Sequence, residues 1–120
     1  MTDERWERGA EMFTEVVGMP APRQGDDYVA DVVINQVFAE IWTRPGLTRK
    51  ERRWISLTCA CMTGAPVAME AHFVGALRTG DISIDELHEF VVHFAAYAGH
   101  PRATAARAAL EASWDAVREQ

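Results

Sequence analysis

The chain has 120 residues, 48% of them hydrophobic, which is enough for one domain with a buried core and too few for two. Its 18 acidic and 12 basic residues leave a formal net charge of −6, which argues against the extended positive surface that nucleic acid or an anionic membrane would require. No apolar run is long enough to cross a bilayer and the opening MTDERWERGAEMF has no signal-peptide core, so the expected setting is the cytoplasm, with both cysteines kept as thiols.

From Glu4 to Val17 the apolar residues Trp6, Ala10, Phe13 and Val17 recur at helical spacing, with Asp3 placed to cap the start and Gly18 to stop the end. Residues 18–27, GMPAPRQGDD, have no period and read as a connection. A second helical pattern carries Val29, Val32, Val33, Val37, Phe38, Ile41 and Trp42 and ends before Pro45-Gly46. Thr48-Arg49-Lys50-Glu51 has the form of a capping box and opens a third helix that runs to about Gly64. Pro66 suits the first turn of a fourth helix, which Gly80 ends. Ser83-Ile84-Asp85-Glu86 is a second capping box and opens a fifth helix; Gly99-His100-Pro101 closes that one and opens a sixth. No alternating strand pattern persists, so the expected fold is all-α, about six helices in a single domain over residues 1–120.

In the fourth helix Met69, Phe73, Ala76 and Leu77 form one apolar stripe, while Val67, Ala71 and Val74 lie on another side. A helix apolar on two sides needs cover on both, which predicts a homo-oligomer.

Five of the twelve basic residues, Arg44, Arg49, Lys50, Arg52 and Arg53, gather at the start of the third helix. Cations there oppose the helix dipole, so something negative is expected beside them. It is either carboxylates of a neighbouring subunit or a carboxylate-bearing ligand held by arginine forks such as Arg44 and Arg49. His72 flanks the core stripe of the fourth helix. It is either a core-edge histidine satisfied by a backbone carbonyl or an acid/base group with a partner from another helix, since Glu70 points about 160° away. Glu89, His93 and Tyr97 stack four apart on the fifth helix, away from the Leu87/Val91/Phe94/Ala98 stripe. They form either a solvent-facing ladder or a proton-transfer strip, and Phe90 beside Tyr97 favours partial burial. Cys59 and Cys61 diverge by about 160° on one helix and cannot bridge; they read as packing thiols. Neither they nor the histidines converge as metal ligands do, so no metal is expected.

The ordered series RGAEMFTEVVG, IWTRPGLTRKER, HFVGALRTG and DELHEFVVHFAAYAGHPRATAA resembles the carboxymuconolactone decarboxylase family, relatives of alkylhydroperoxidase D, over nearly the whole chain. The resemblance implies an alkylhydroperoxidase D-like helical domain assembled as a homotrimer or homohexamer, with sites near subunit contacts. It implies one of two chemistries, cofactor-free release of CO₂ from a small carboxylated cyclic compound or thiol-dependent peroxide reduction. Aligned on His72, Ala65 and Ala68 stand where the peroxidase branch has its Cys-x-x-Cys pair, and Arg53 where that branch has a glutamate. The lyase is therefore the expected activity, with His72 as proton carrier, His93 or Tyr97 assisting, and Arg44 or Arg49 binding the substrate carboxylate. Decarboxylase relatives commonly carry a glutamate and an arginine where this chain has Ala68 and Val74, which keeps a non-catalytic binding protein as a third reading.

Overall fold

The computed structural model describes residues 3–120, and the cap residues show why its helices begin and end where they do. α1 spans Glu4–Val17; the Asp3 carboxylate accepts from the Arg5 N–H, and Gly18 ends the helix in the left-handed conformation at φ 80°. α2, Tyr28–Val32, starts at Asp27, which accepts from the N–H groups of Val29 and Ala30. α3 spans Arg49–Thr63 behind a complete capping box, in which Glu51 N–H donates to Thr48 Oγ1 at 3.1 Å and Thr48 N–H donates to Glu51 Oε1 at 2.8 Å. Thr48→Ala is expected to lower stability by about 1 kcal/mol, a drop of roughly 3–6 °C in melting temperature for a domain of this size. A circular-dichroism melt unchanged from the parent would show that the box contributes nothing. α4 spans Pro66–Thr79, α5 Ile84–Ala98 and α6 His100–Arg118; there are no strands among the described residues.

One local feature departs from the sequence expectation. α2 passes directly into a π-helical segment, Val33–Ile41, whose wider turn closes with Trp42 N–H donating to the Val37 carbonyl five residues back, at 3.0 Å. Apolar spacing alone does not separate this from an α-helix. The register is set by docking: a Cβ added to Gly9 of α1 would lie 2.1 Å from the Ile34 carbonyl oxygen, and Trp42 at the far end lies against α4.

Two apolar clusters hold the elements together. One joins α3, α4, α5 and α6 through Leu57, Cys61, Phe73, Leu87, Phe94 and Leu110. The other joins α1, the π-helical segment and α4 through Val16, Val17, Ile34, Phe38 and Trp42, with Ala71 packed against them. α4 is common to both, so the two apolar sides that predicted a partner are covered largely from within the chain. Val67, 81% exposed, remains open. The α1–α4 contact is close: a Cβ on Gly75 would come within 1.8 Å of the Val16 carbonyl oxygen, so only glycine fits there.

Candidate functional site

Three cations of the basic cluster at the start of α3, Arg49, Lys50 and Arg53, are compensated from within their own chain. Asp81, in the turn between α4 and α5, accepts from Arg49 Nε at 2.6 Å and Nη2 at 2.9 Å, and from Arg53 Nε at 2.7 Å. Arg49 also reaches Glu15 at 3.5 Å, and Lys50 donates to Glu86 at 2.7 Å. Arg53 is completely buried. Its remaining nitrogens donate to the carbonyls of Val16 at 2.7 Å and Glu15 at 3.3 Å and to Thr79 Oγ1 at 3.3 Å. The last carbonyls of a helix lack intrahelical donors and carry its negative dipole end, so Arg53 caps α1 while tying it to α3 and α4. Arg49, an expected substrate-binding residue, is thus engaged with Asp81 and Glu15.

Two arginines of the cluster make no ion pair among the described residues. The Arg44 side chain is exposed. Arg52 donates from Nη2 to the Arg44 carbonyl at 3.0 Å, and its Nε is buried without a hydrogen-bond partner.

His72, on α4, lies flat against Trp42, with ring centroids 6.2 Å apart and planes 11° from parallel. Trp42 stacks in turn on Phe38 at 6.1 Å, and Phe38 meets Phe13 edge-on at 5.1 Å. An aromatic column therefore runs from α1 through the π-helical segment to the imidazole. His72 Nδ1 is buried and has no hydrogen-bond partner, so the carbonyl-satisfied alternative does not hold. Desolvation, with a smaller contribution from the Arg53 charge, pushes the His72 pKa down to about 4. The imidazole is neutral at pH 7.

His93 and Tyr97 are brought together, with rings 5.5 Å apart, but not with His72. They line a cavity of about 410 Å³ with Trp54, Thr58, Phe90 and Phe94, and His72 is not part of its wall. Tyr97 is 85% exposed, which corrects the expected partial burial: the aromatic contact that covers Phe90 comes from Trp54 and Phe94. The two thiols lie on diverging faces, but only Cys61 is a packing residue; the exposure of Cys59 corrects the expectation that both pack. Cys61 is buried, its pKa raised to about 11 by desolvation, while Cys59 is exposed. No three His, Cys, Asp or Glu side chains cluster as metal ligands among the described residues, and no helix is long and apolar enough to cross a membrane.

Residues 29–112 match the Carboxymuconolactone decarboxylase family. The chain belongs to the carboxymuconolactone decarboxylase family. Its relatives include a 4-carboxymuconolactone decarboxylase of Acinetobacter baylyi, 31% identical over 116 residues that cover 88% of this chain and 84% of the relative. A nitrosuccinic acid decarboxylase of Metarhizium robertsii is 30% identical over 82 residues, 68% of this chain, and the match spans about half (54%) of that relative's length.

In this carboxymuconolactone decarboxylase family member Ala65 caps α4 without a side-chain hydrogen bond, and Ala68 is half-buried one turn before His72. Neither offers a nucleophile or an acid. Sequence reasoning named His72 but missed Trp42, which read only as one member of an apolar period. It also missed Asp81, whose position just after the α4 stop glycine carries no motif.

The two perturbed groups predict acid sensitivity in two stages. The Arg49 and Arg53 guanidiniums hold the Asp81 carboxyl down at about 2, against an ordinary 3.8. A depressed carboxylate stabilises the fold fully above pH 3.8, and that contribution of about 2 kcal/mol is lost as pH falls toward 2. His72 acts earlier: below pH 6.5 the unfolded chain takes a proton that the folded chain refuses down to about pH 4, removing about 3 kcal/mol across that window. Urea midpoints measured from pH 8 to pH 3 are expected to fall between pH 6.5 and 4 in the parent and to be flatter there in His72→Gln. Parallel curves would contradict the placement of His72.

Proposed function

We propose that the protein is a cofactor-free lyase that removes CO₂ from a small carboxylated cyclic compound, with His72 carrying the proton. The observation that carries this reading is the buried Nδ1 of His72 with no partner, a proton-handling atom held in a desolvated, stacked ring and used by nothing else in the fold. The decarboxylase names of both relatives support the reaction class. When a carboxylate enters beside His72, its charge offsets that of Arg53 and raises the imidazole pKa, so the histidine gains a proton as substrate binds. The bond between the carboxyl carbon and its neighbour then breaks, leaving the electron pair on the neighbouring carbon, delocalised into a conjugated carbonyl. The imidazolium donates its proton to that carbon, CO₂ departs, and His72 returns to its neutral form.

The substrate carboxylate is held by the basic cluster, in which Arg44 is exposed and makes no ion pair among the described residues; Arg49 supports it by fixing the start of α3 on Asp81. His93 and Tyr97 serve from their own cavity where a neighbouring subunit closes over it. The working form is proposed to be a homotrimer or homohexamer, supported by the exposed apolar surface of Val67, Val92 and Tyr97 and testable by light scattering. The decisive experiment is CO₂ release from 4-carboxymuconolactone compared with its methyl ester. Turnover of the acid and none of the ester is expected. Absence of CO₂ release from this and related small carboxylated lactones would overturn the reading.

A further inference from the structure

We propose that Arg52, with Ser56, is the residue that recognises the substrate carboxylate, in the pocket between the π-helical segment and α3. This rests on the decarboxylase reading above and moves the contact from Arg44 to the side chain that holds the Arg44 carbonyl. The pocket has a volume of about 70 Å³ and is lined by Ile41, Trp42, Arg52, Ile55 and Ser56, so it takes a carboxylate and not a whole ring. Its aromatic wall is Trp42, whose opposite neighbours in the aromatic column are Phe38 and His72. His72 does not line the pocket and is linked to it through Trp42.

Elimination within the cluster points the same way. Arg49, Lys50 and Arg53 are taken up by Asp81, Glu15 and Glu86. Arg52 has no such partner, and its adjacent acid, Glu51, is turned to the Thr48 N–H of the capping box. One guanidinium nitrogen is fixed on the Arg44 carbonyl at 3.0 Å, which orients the group, and Nε is buried and unpaired. A buried N–H without an acceptor is unfavourable until something accepts from it, and a carboxylate oxygen is the strongest acceptor available to a guanidinium. Ser56 adds a hydroxyl on the same face of α3, four residues on. Ile41 and Ile55, 44% and 54% exposed, line the same pocket and offer apolar surface to the ring that carries the acid. The ligand that fits is an acid on a small, partly apolar ring.

The test uses the full chain, with 5-oxotetrahydrofuran-2-carboxylate, its methyl ester and inorganic phosphate as probes in isothermal titration calorimetry. The parent is expected to prefer the acid over the ester by at least about tenfold. Arg52→Gln is expected to weaken the acid about 10–100-fold, leave the ester unchanged and so abolish the preference. Arg52→Lys, which keeps the charge but loses the fork, should fall between the two, and Arg107→Gln on the exposed face of α6 should match the parent. The Trp42 indole N–H resonance should shift with the acid in the parent and not in Arg52→Gln. If Arg52→Gln does not fold, Ser56→Ala and Arg52→Lys carry the test through the same acid-to-ester ratio. Retention of the preference in Arg52→Gln, or phosphate binding as tightly as the acid, would overturn the assignment. If the parent releases CO₂ from 4-carboxymuconolactone and Arg52→Gln keeps its KM, Arg52 is excluded and the lyase stands. If the parent releases none but Arg52→Gln loses the acid preference, the pocket stands and the lyase falls; failure of both arms removes both.

Discussion

Arg53→Met is expected to lower the unfolding free energy by about 3–5 kcal/mol, the range found when one partner of a buried charge network is removed. Four acceptors lose a donor at once: the Val16 and Glu15 carbonyls at the end of α1, Thr79 Oγ1, and the Asp81 carboxylate, which keeps only Arg49. The Val16 carbonyl faces the spot where Gly75 admits no Cβ, so water does not readily replace the guanidinium there. Against a typical total of about 5–15 kcal/mol, the loss is a large fraction of the stability. Asp81→Asn should cost less, because Arg53 keeps its carbonyl and hydroxyl acceptors. Urea unfolding of the two single variants and the double variant measures the coupling. An Arg53→Met cost below about 1 kcal/mol would mean that the network is not what fastens α1 to α3 and α4.

His72→Gln is expected to reduce kcat by about 10²–10⁴-fold with a smaller change in KM, the range for loss of a positioned proton donor. Glutamine keeps polar atoms in the space but carries no transferable proton near neutral pH. The stack on Trp42 makes a companion prediction. Trp42→Ala opens the imidazole to water and should move its pKa from about 4 back toward 6.5, read from the imidazole carbon shifts across a pH titration. The acid limb of the kcat profile should move with it. A His72→Gln variant with parental turnover would remove His72 from the chemistry, whatever its pKa.

Most helix boundaries were legible because they rest on local chemistry: the Thr48 and Ser83 boxes, Asp3 at an N-cap, Pro66 at a first turn, Gly18, Gly64 and Gly80 at ends. The partners of the site residues were not legible, because they meet across long separations. Arg53 lies in the first turns of an amphipathic helix among four other cations, where a solvated position is the natural reading. Its burial is decided by carbonyls 37 and 38 residues earlier. Trp42 and His72 are 30 positions apart and belong to different periods. The local ladder of Glu89, His93 and Tyr97 was legible as a shared face, and the structure leaves that face open.

The π-helical segment makes the Trp42–His72 contact depend on chain length as well as on residue identity. Its five-residue hydrogen-bond step accommodates one more residue than the α ladder needs. Deleting a single residue between positions 33 and 41 would let the segment close as ordinary α-helix, leaving the loop to α3 and every residue named at the site unaltered. Because the wider turn absorbs the extra residue, the indole would keep its direction toward the imidazole. Closing the segment as α-helix with all its residues present would instead carry the indole about 100° further round the helix axis, off the imidazole, and would take the aromatic wall from the small pocket beside Arg52. Among homologues, a one-residue gap at this point would accordingly be compatible with the same site, whereas an ordinary α-helix of undiminished length would keep its residues and fail to assemble them.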